Sequence, residues 1–296
     1  MRLSFTRTLI ASLLCLAIAT PIHALAQSEG KVNSAMGNPT KADESDKDNY
    51  LMEKKYFTLS YNNSKGIPNW VSWHVDKSDL GNAPRFSFKS DNTLPEGFNK
   101  VTTKDYTNGG FDRGHMCPHS DRAATNETSK ATFVMTNIIP QTAEVNRKAW
   151  AQLEEYCRRL VLDENKELYI ISGPQGKGGR GANGFRSSLS HGKVVVPAHC
   201  WKVIMVLDAK DGDDVKRVDQ DARLIAVVMP TNREVGEEWA PFRVSVKDVE
   251  ELTGFTFFGN VDPDVLKESK LAVDDEEIET QPPIIHARRR PRSDSE

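Results

Sequence analysis

Past its first twenty residues the chain has no apolar run of the roughly twenty residues that a membrane helix needs, so no membrane span is expected. Cysteine is scarce, four in 296 residues, which excludes a disulfide-built scaffold. Positive charge is not in excess either. A formal net charge of -3 argues weakly against a nucleic-acid partner, because phosphate-binding surfaces are usually basic. No internal repeat is present. Two stretches lack bulky apolar side chains, residues 27–48 and the charged end from about Lys270, and neither can offset the entropy of ordering. They are expected as a disordered linker and a disordered tail (270–296), leaving 49–269 as one domain.

The N-terminus carries Arg2 and Arg7, then the apolar run Leu9 to Ala19, then Ala24-Leu25-Ala26, a small-x-small pattern suited to signal peptidase. Residues 1–26 therefore read as a cleaved export signal, and the protein as periplasmic or extracellular. Cys15 follows Leu14 rather than a small residue, which argues against a lipid-anchored form. Cys117, Cys157 and Cys200 remain, so at most one internal bridge can form, and sequence leaves the pair open. Charge is unevenly spread. Ser172 to Lys202 contains no Asp or Glu but holds Lys177, Arg180, Arg186, Lys193 and Lys202, a candidate phosphate-binding wall beside the plainer reading of a solvated loop.

Trp70 to Val75, Phe133 to Ile139 closed by Pro140, Leu168 to Ser172, Val194 to Leu207 and Leu224 to Met229 are apolar, β-branched runs bounded by Gly, Pro or Asp. They predict a sheet. Between the second and third, Val145, Ala149, Trp150, Leu153, Tyr156, Cys157, Leu160 and Val161 recur at three-and-four spacing, predicting an amphipathic helix of about four turns. A shorter helix is expected at Val246 to Leu252, ended by Gly254. Strands and helices do not alternate regularly, so the fold class is α+β.

The stretch Gly110 to Arg122, GFDRGHMCPHSDR, concentrates reactive side chains. His115 is the side chain most readily poised between charged and neutral forms. Beside Arg113 it suits chemistry on an anion, imidazole taking a proton from water while guanidinium holds phosphate oxygens. Taken alone, such a histidine is more often structural. His115, Cys117 and His119 with Cys157, His199 and Cys200 could also bind zinc, but their spacing fits no common zinc pattern. His119 reads as an ordinary loop residue, and Asp112 as a loop-stabilising one. Farther on, Asn137, Asn146 and Glu154 are hard oxygen donors of the kind Mg²⁺ accepts while keeping most of its waters. Asn146 could equally cap the helix. Along a helix, eight residues put about 12 Å between Asn146 and Glu154, so both cannot ligate one ion directly.

Asp-Arg-Gly-His, then TNIIPQ, then Asn146, then WAQLE resembles the DNA/RNA non-specific endonuclease family, the Serratia-type nucleases and mitochondrial endonuclease G. The likeness extends to VPAHCWKVIMVLD (Val196 to Asp208) and TGFTFFGNV (Thr253 to Val261), so it spans about residues 50–265. It implies a ββα-metal (His-Me finger) core embedded in a larger mixed sheet. It also implies a Mg²⁺ cofactor, replaceable by Mn²⁺, DNA and RNA as substrates, and 5′-phosphate and 3′-hydroxyl products. By this resemblance His115 is the general base, Asn146 the direct metal ligand, and Glu154 organises the metal's waters. Arg113 contacts phosphate, the upstream transition-state arginine falls nearest Arg85, and Asn137 orients the imidazole through a hydrogen bond. Cys117 departs from the small or apolar residue usual there. A homodimer is compatible with the resemblance. A nuclease restricted to one nucleic acid, and a non-catalytic nucleic-acid-binding relative, are the alternatives; the second is disfavoured because every motif position needed for chemistry is filled.

Overall fold

The long apolar runs assemble into one seven-stranded antiparallel sheet in a computed structural model that describes residues 31–278. The spatial order is β1 (Tyr50–Glu53), β2 (Thr58–Asn62), β3 (Ile67–Val75), β6 (Lys166–Gln175), β11 (His199–Asp208), β12 (Arg223–Pro230) and β13 (Arg243–Val244). Both faces are covered, which is why the central strands read as unbroken apolar runs rather than as alternating ones. Along β11, Cys200, Ile204 and Val206 enter one apolar cluster, while Trp201, Val203, Met205 and Leu207 enter a second on the opposite face. Helix α3 (Val246–Thr253) closes the second face with Val246 and Val249. Its boundaries follow sequence chemistry: Ser245 caps the start, and Gly254, at φ 74°, ends it in the left-handed conformation.

On the first face lies a smaller unit. Strand β4 (Asp112–His115) pairs antiparallel with β5 (Ile138–Gln141), and after the Thr142 cap the chain enters a π-helical turn, Val145–Ala149, that continues as α2 (Trp150–Asp163). A short α1 (Asn126–Ala131) occupies the connection. The apolar stripe of α2, Trp150, Leu153, Cys157 and Leu160, is buried against the sheet, and the adjoining flank of the helix, Ala151, Glu154 and Arg158, faces a cavity beside β4. The fold is therefore α+β, with a ββα unit seated on a large sheet.

Several expectations change on folding. Residues 33–42 of the expected linker are packed: Met36 and Ala42 are buried in the second cluster, and Ser72 Oγ donates to the Asn33 carbonyl at 2.6 Å. Few apolar groups suffice because the sheet supplies the remaining surface. Part of the expected tail is likewise packed, since Asp274 is buried in ion pairs with Arg223 and Arg243. The expected signal, residues 1–26, lies outside the described residues, as do 27–30 and 279–296. Phe133 to Ile139 is not one strand. Met135–Asn137 forms a 3-10 turn, and Pro140 stands inside β5, where its missing N–H is tolerated in a two-stranded ribbon that has only edges. The Val194 to Leu207 run breaks at Pro197 into β10 (Val194–Val195), paired with β9 (Ser188–Leu189), and β11.

Candidate active site

The DRGH motif places its side chains through β4. Gly114 has no room for a Cβ, which would lie 2.0 Å from Gln141 Oε1. Its bare backbone lets the Gln141 side chain cross the strand, while Arg113 and His115 line a cavity of about 510 Å³. Also lining it are Arg85, Asp112, Asn146 and Glu154, so three stretches of chain meet there: the segment around Arg85, β4, and the helix that carries Asn146 and Glu154. Thus five of the six expected site residues, Arg85, Arg113, His115, Asn146 and Glu154, meet at one surface.

His115 is buried, its ring edge-on to Phe133 with centroids 4.9 Å apart, and tilted against Phe88 at 5.1 Å. Burial, with Arg85 and His119 adding positive charge nearby, pushes the imidazole down to about 3. It is therefore neutral at physiological pH. Its Nε2 is buried without a hydrogen-bond partner, an arrangement that costs stability and points to a functional group.

Asn146 is not the helix cap. Thr142 takes that role, its Oγ1 accepting from Val145 N at 3.3 Å, and Asn146 sits one turn in, on the π-helical turn. That turn alters the geometry usefully. At 3.6 residues per turn, Asn146 and Glu154 would stand about 80° apart around the axis; one inserted residue removes about 100°, leaving them within about 20°. The carboxamide Nδ2 donates to Asp112 Oδ2 at 2.9 Å, and Asp112 also takes two bonds at 2.7 Å from Arg147. Burial would raise the Asp112 carboxyl, but the bonds from Arg147 and Asn146 hold it below the usual range. Asp112 does not merely stabilise a loop: it fixes Asn146 from the opposite strand.

Glu154 is pushed up by burial, an effect opposed by Lys202 and Arg158. Lys202 is fully buried, with Nζ 3.6 Å from Glu154 Oε1 and 4.4 Å from the Trp150 ring centroid. It lies beneath the site and is no part of a phosphate-binding wall. Lys193 is likewise committed, to Asp105 at 2.8 Å. Within the acid-free segment only Lys177, Arg180 and Arg186 remain exposed cations.

Asn137 differs from expectation. It makes no bond to His115; its side chain bonds both the N–H and the carbonyl of Cys117, at 2.9 and 2.8 Å, and the Thr132 carbonyl at 3.0 Å. It clamps the backbone that follows the histidine, so it positions His115 only through the chain. Sequence reading missed Arg147, Arg158, Phe88 and His119, all at the cavity. The signal for two of them was available: Arg147, Ala151, Glu154 and Arg158 follow three-and-four spacing on one helical stripe. Arg158 is held by the buried Asp121 at 3.1 Å and by Glu155 at 2.8 Å. His119 is pushed down to about 4, chiefly by burial.

A hydrated divalent cation fits this donor set. Asn146 commits its Nδ2 to Asp112, which leaves the carbonyl oxygen for a hard ion, and the Glu154 carboxylate can reach an ion's waters. The zinc alternative does not hold, because Cys117, Cys157 and Cys200 are free, buried thiols, and no group of potential ligands among the described residues contains one. Two histidine–carboxylate groups lie elsewhere, around His74. Their carboxylates already have partners: Asp79 pairs with Arg122, Glu167 and Asp214 pair with Arg217, and Asp76 Oδ1 accepts from the Ser78 N–H and hydroxyl.

Residues 36–264 match the family model described as DNA/RNA non-specific endonuclease. The chain is similar to a protein named Nuclease from Nostoc sp., 44% identical over 82% of this chain and 86% of the relative. It is similar also to Nuclease C1 from Cunninghamella echinulata, 31% identical over 73% and 85%, and to mitochondrial Nuclease EXOG from Mus musculus, 31% identical over 69% of this chain but only 55% of that protein. Among solved structures, the crystal structure of the EndoG/EndoGI complex superposes with a TM-score of 0.64 at 25% identity, covering 83% of this chain and 96% of that one. With the DRGH strand, the asparagine on the following helix and the surrounding arginines gathered at one cavity, the chain belongs to the DNA/RNA non-specific endonuclease family.

Proposed function

We propose that this protein is an exported, Mg²⁺-dependent endonuclease that hydrolyses phosphodiester bonds of DNA and RNA without regard to sequence, leaving 5′-phosphate and 3′-hydroxyl ends. The observation that carries the reading is the neutral, buried imidazole of His115 sharing a cavity with Asn146, Glu154 and the arginines.

The chemistry follows from the residues. Neutral His115 has a ring nitrogen able to accept a proton from water, so hydroxide character develops where the phosphorus is attacked. Arg113 and Arg85 hold the phosphate oxygens and stabilise the additional charge of the pentacoordinate state. Asn146 would ligate the divalent ion directly and Glu154 would act through its waters. When bound, the ion supplies Lewis-acid stabilisation of the phosphate and leaving oxygens. Contacts of this kind go to phosphate and sugar rather than to base edges, so cleavage needs no sequence.

Plasmid nicking and RNA degradation, each with Mg²⁺, Mn²⁺ or EDTA, test the reading, and phosphatase sensitivity of end label tests the product termini. Cleavage of both substrates that EDTA abolishes is expected; cleavage by His115→Asn at the unmodified rate would remove the base from the mechanism. Fractionating expressing cells tests export.

A further inference from the structure

Residues Gly179–Gly181 (β7) and Gly184–Arg186 (β8) form a two-residue-turn hairpin that the proposed chemistry does not use. Phe185 is 60% exposed, the one aromatic among the exposed large apolar side chains of the described residues. A single exposed apolar residue is ordinary. This one has built surroundings. Its ring is seated on Gly178, where an added Cβ would come within 2.5 Å of Phe185 Cζ. In the ribbon Phe185 stands directly opposite Arg180, so ring and guanidinium share a face. Arg180, Arg186 and Lys177 are exposed, and no ion pair involves them among the described residues.

The hairpin is also tied to the loop that leads into the catalytic strand and to the residue that follows β12. Ala182 N donates to the Gly110 carbonyl and Asn183 Nδ2 to the Asn108 carbonyl, both at 2.9 Å, and Arg180 N donates to Thr231 O at 2.9 Å. Gly110 and Gly181 pack without room for side chains, two residues before β4 begins. A second cavity of about 410 Å³ opens between this turn and Arg233, and it shares Asp112 and Arg147 with the catalytic cavity. Its carboxylates are neutralised in pairs, Asp112 with Arg147 and Glu144 with Arg233. The second cavity thus reaches the hairpin at its turn residue Ala182, and the ribbon beyond that turn carries the exposed Phe185 and Arg180.

We propose that the β7–β8 hairpin is a nucleic-acid subsite in which an unpaired base stacks on Phe185 while Arg180 and Arg186 hold the adjoining phosphates. The proposal rests on the nuclease reading above. A stacking platform of this kind is indifferent to base identity, and it requires a base that is free of its duplex partner. The site therefore favours single-stranded or locally opened substrate.

The test is equilibrium binding by fluorescence anisotropy, on the whole protein in EDTA, with a labelled single strand of roughly 16 nucleotides and a blunt duplex of equal length. Phe185→Ala should weaken single-strand binding about tenfold and duplex binding much less, while Phe185→Trp restores it. Arg180→Ala with Arg186→Ala should lower the salt slope for the single strand by about 1.4, two contacts at about 0.7 each. Phe185→Leu, which keeps apolar volume without a ring, guards against loss of fold and should bind as weakly as Phe185→Ala. Unchanged single-strand affinity in Phe185→Leu, or equal losses on strand and duplex, overturns the proposal. Wild-type protein that binds in EDTA but never cleaves with metal would sink the nuclease reading instead.

Discussion

Asp112 Oδ2 accepts the carboxamide hydrogen of Asn146 at 2.9 Å, joining the first residue of β4 to the π-helical turn before α2. Through this bond the two halves of the ββα unit set each other's side chains. Asp112 consequently governs which atom of Asn146 is presented to the cavity.

Replacing Asp112 by Ala should weaken divalent-ion activation about 10- to 100-fold, as is usual when the partner that orients a metal ligand is lost. Titrating activity against Mg²⁺ concentration checks it. An unchanged activation constant would mean that Asn146 is oriented by other means.

His115→Asn should reduce the turnover number at least 10²- to 10⁴-fold. Stability supplies a second readout with a definite sign. The folded imidazole titrates near 3 against an ordinary 6.5, so between those pH values the unfolded chain binds the proton and the folded one does not. The wild type therefore loses stability from this group as pH falls from about 6.5 towards about 3. At pH 5 the loss is about 2 kcal/mol, from about 1.4 kcal/mol per pH unit. Denaturant melts at pH 7.5 and 5 should show His115→Asn losing less than the wild type by that amount.

Gly114→Ala should destabilise the protein by about 1–3 kcal/mol, because the new methyl meets Gln141 Oε1 at 2.0 Å. Gln141→Ala in the same chain should recover part of the loss in a urea melt, since it removes the obstructing atoms.

Lys202→Met should cost about 3–5 kcal/mol, since it leaves Glu154 without its buried cation. Adding Glu154→Gln should recover much of that stability, though not activity. Additive losses in the double-mutant cycle would show that the two residues are not coupled.

His115, Arg113, Asn146 and Glu154 could be picked out from residue types and order alone, because their chemistry is carried by side chains in short recognisable motifs. Helix α3 was legible for a similar reason: Ser245 and Gly254 act on the backbone within one turn of themselves. Asn137 shows the limit. Its place in the motif is plain, but its three bonds go to the backbone of Cys117 and Thr132, partners that only the folded chain brings near. Met36 and Ala42 failed in the opposite direction, because a sparse apolar segment reads as linker until the sheet offers it a surface.

Local pattern thus determined the family, the apolar strands, the amphipathic helix and the side chains suited to phosphodiester chemistry, since each is encoded by spacing within a few residues. Tertiary structure alone decided that Arg85, Arg158 and His119 share the cavity, that Lys202 lies beneath Glu154, and that Asp112 holds Asn146. Those relations join positions as far apart as 73 residues between Arg85 and Arg158. They depend on burial and on the angular offset introduced by one π-helical turn, and neither quantity exists until the chain has folded.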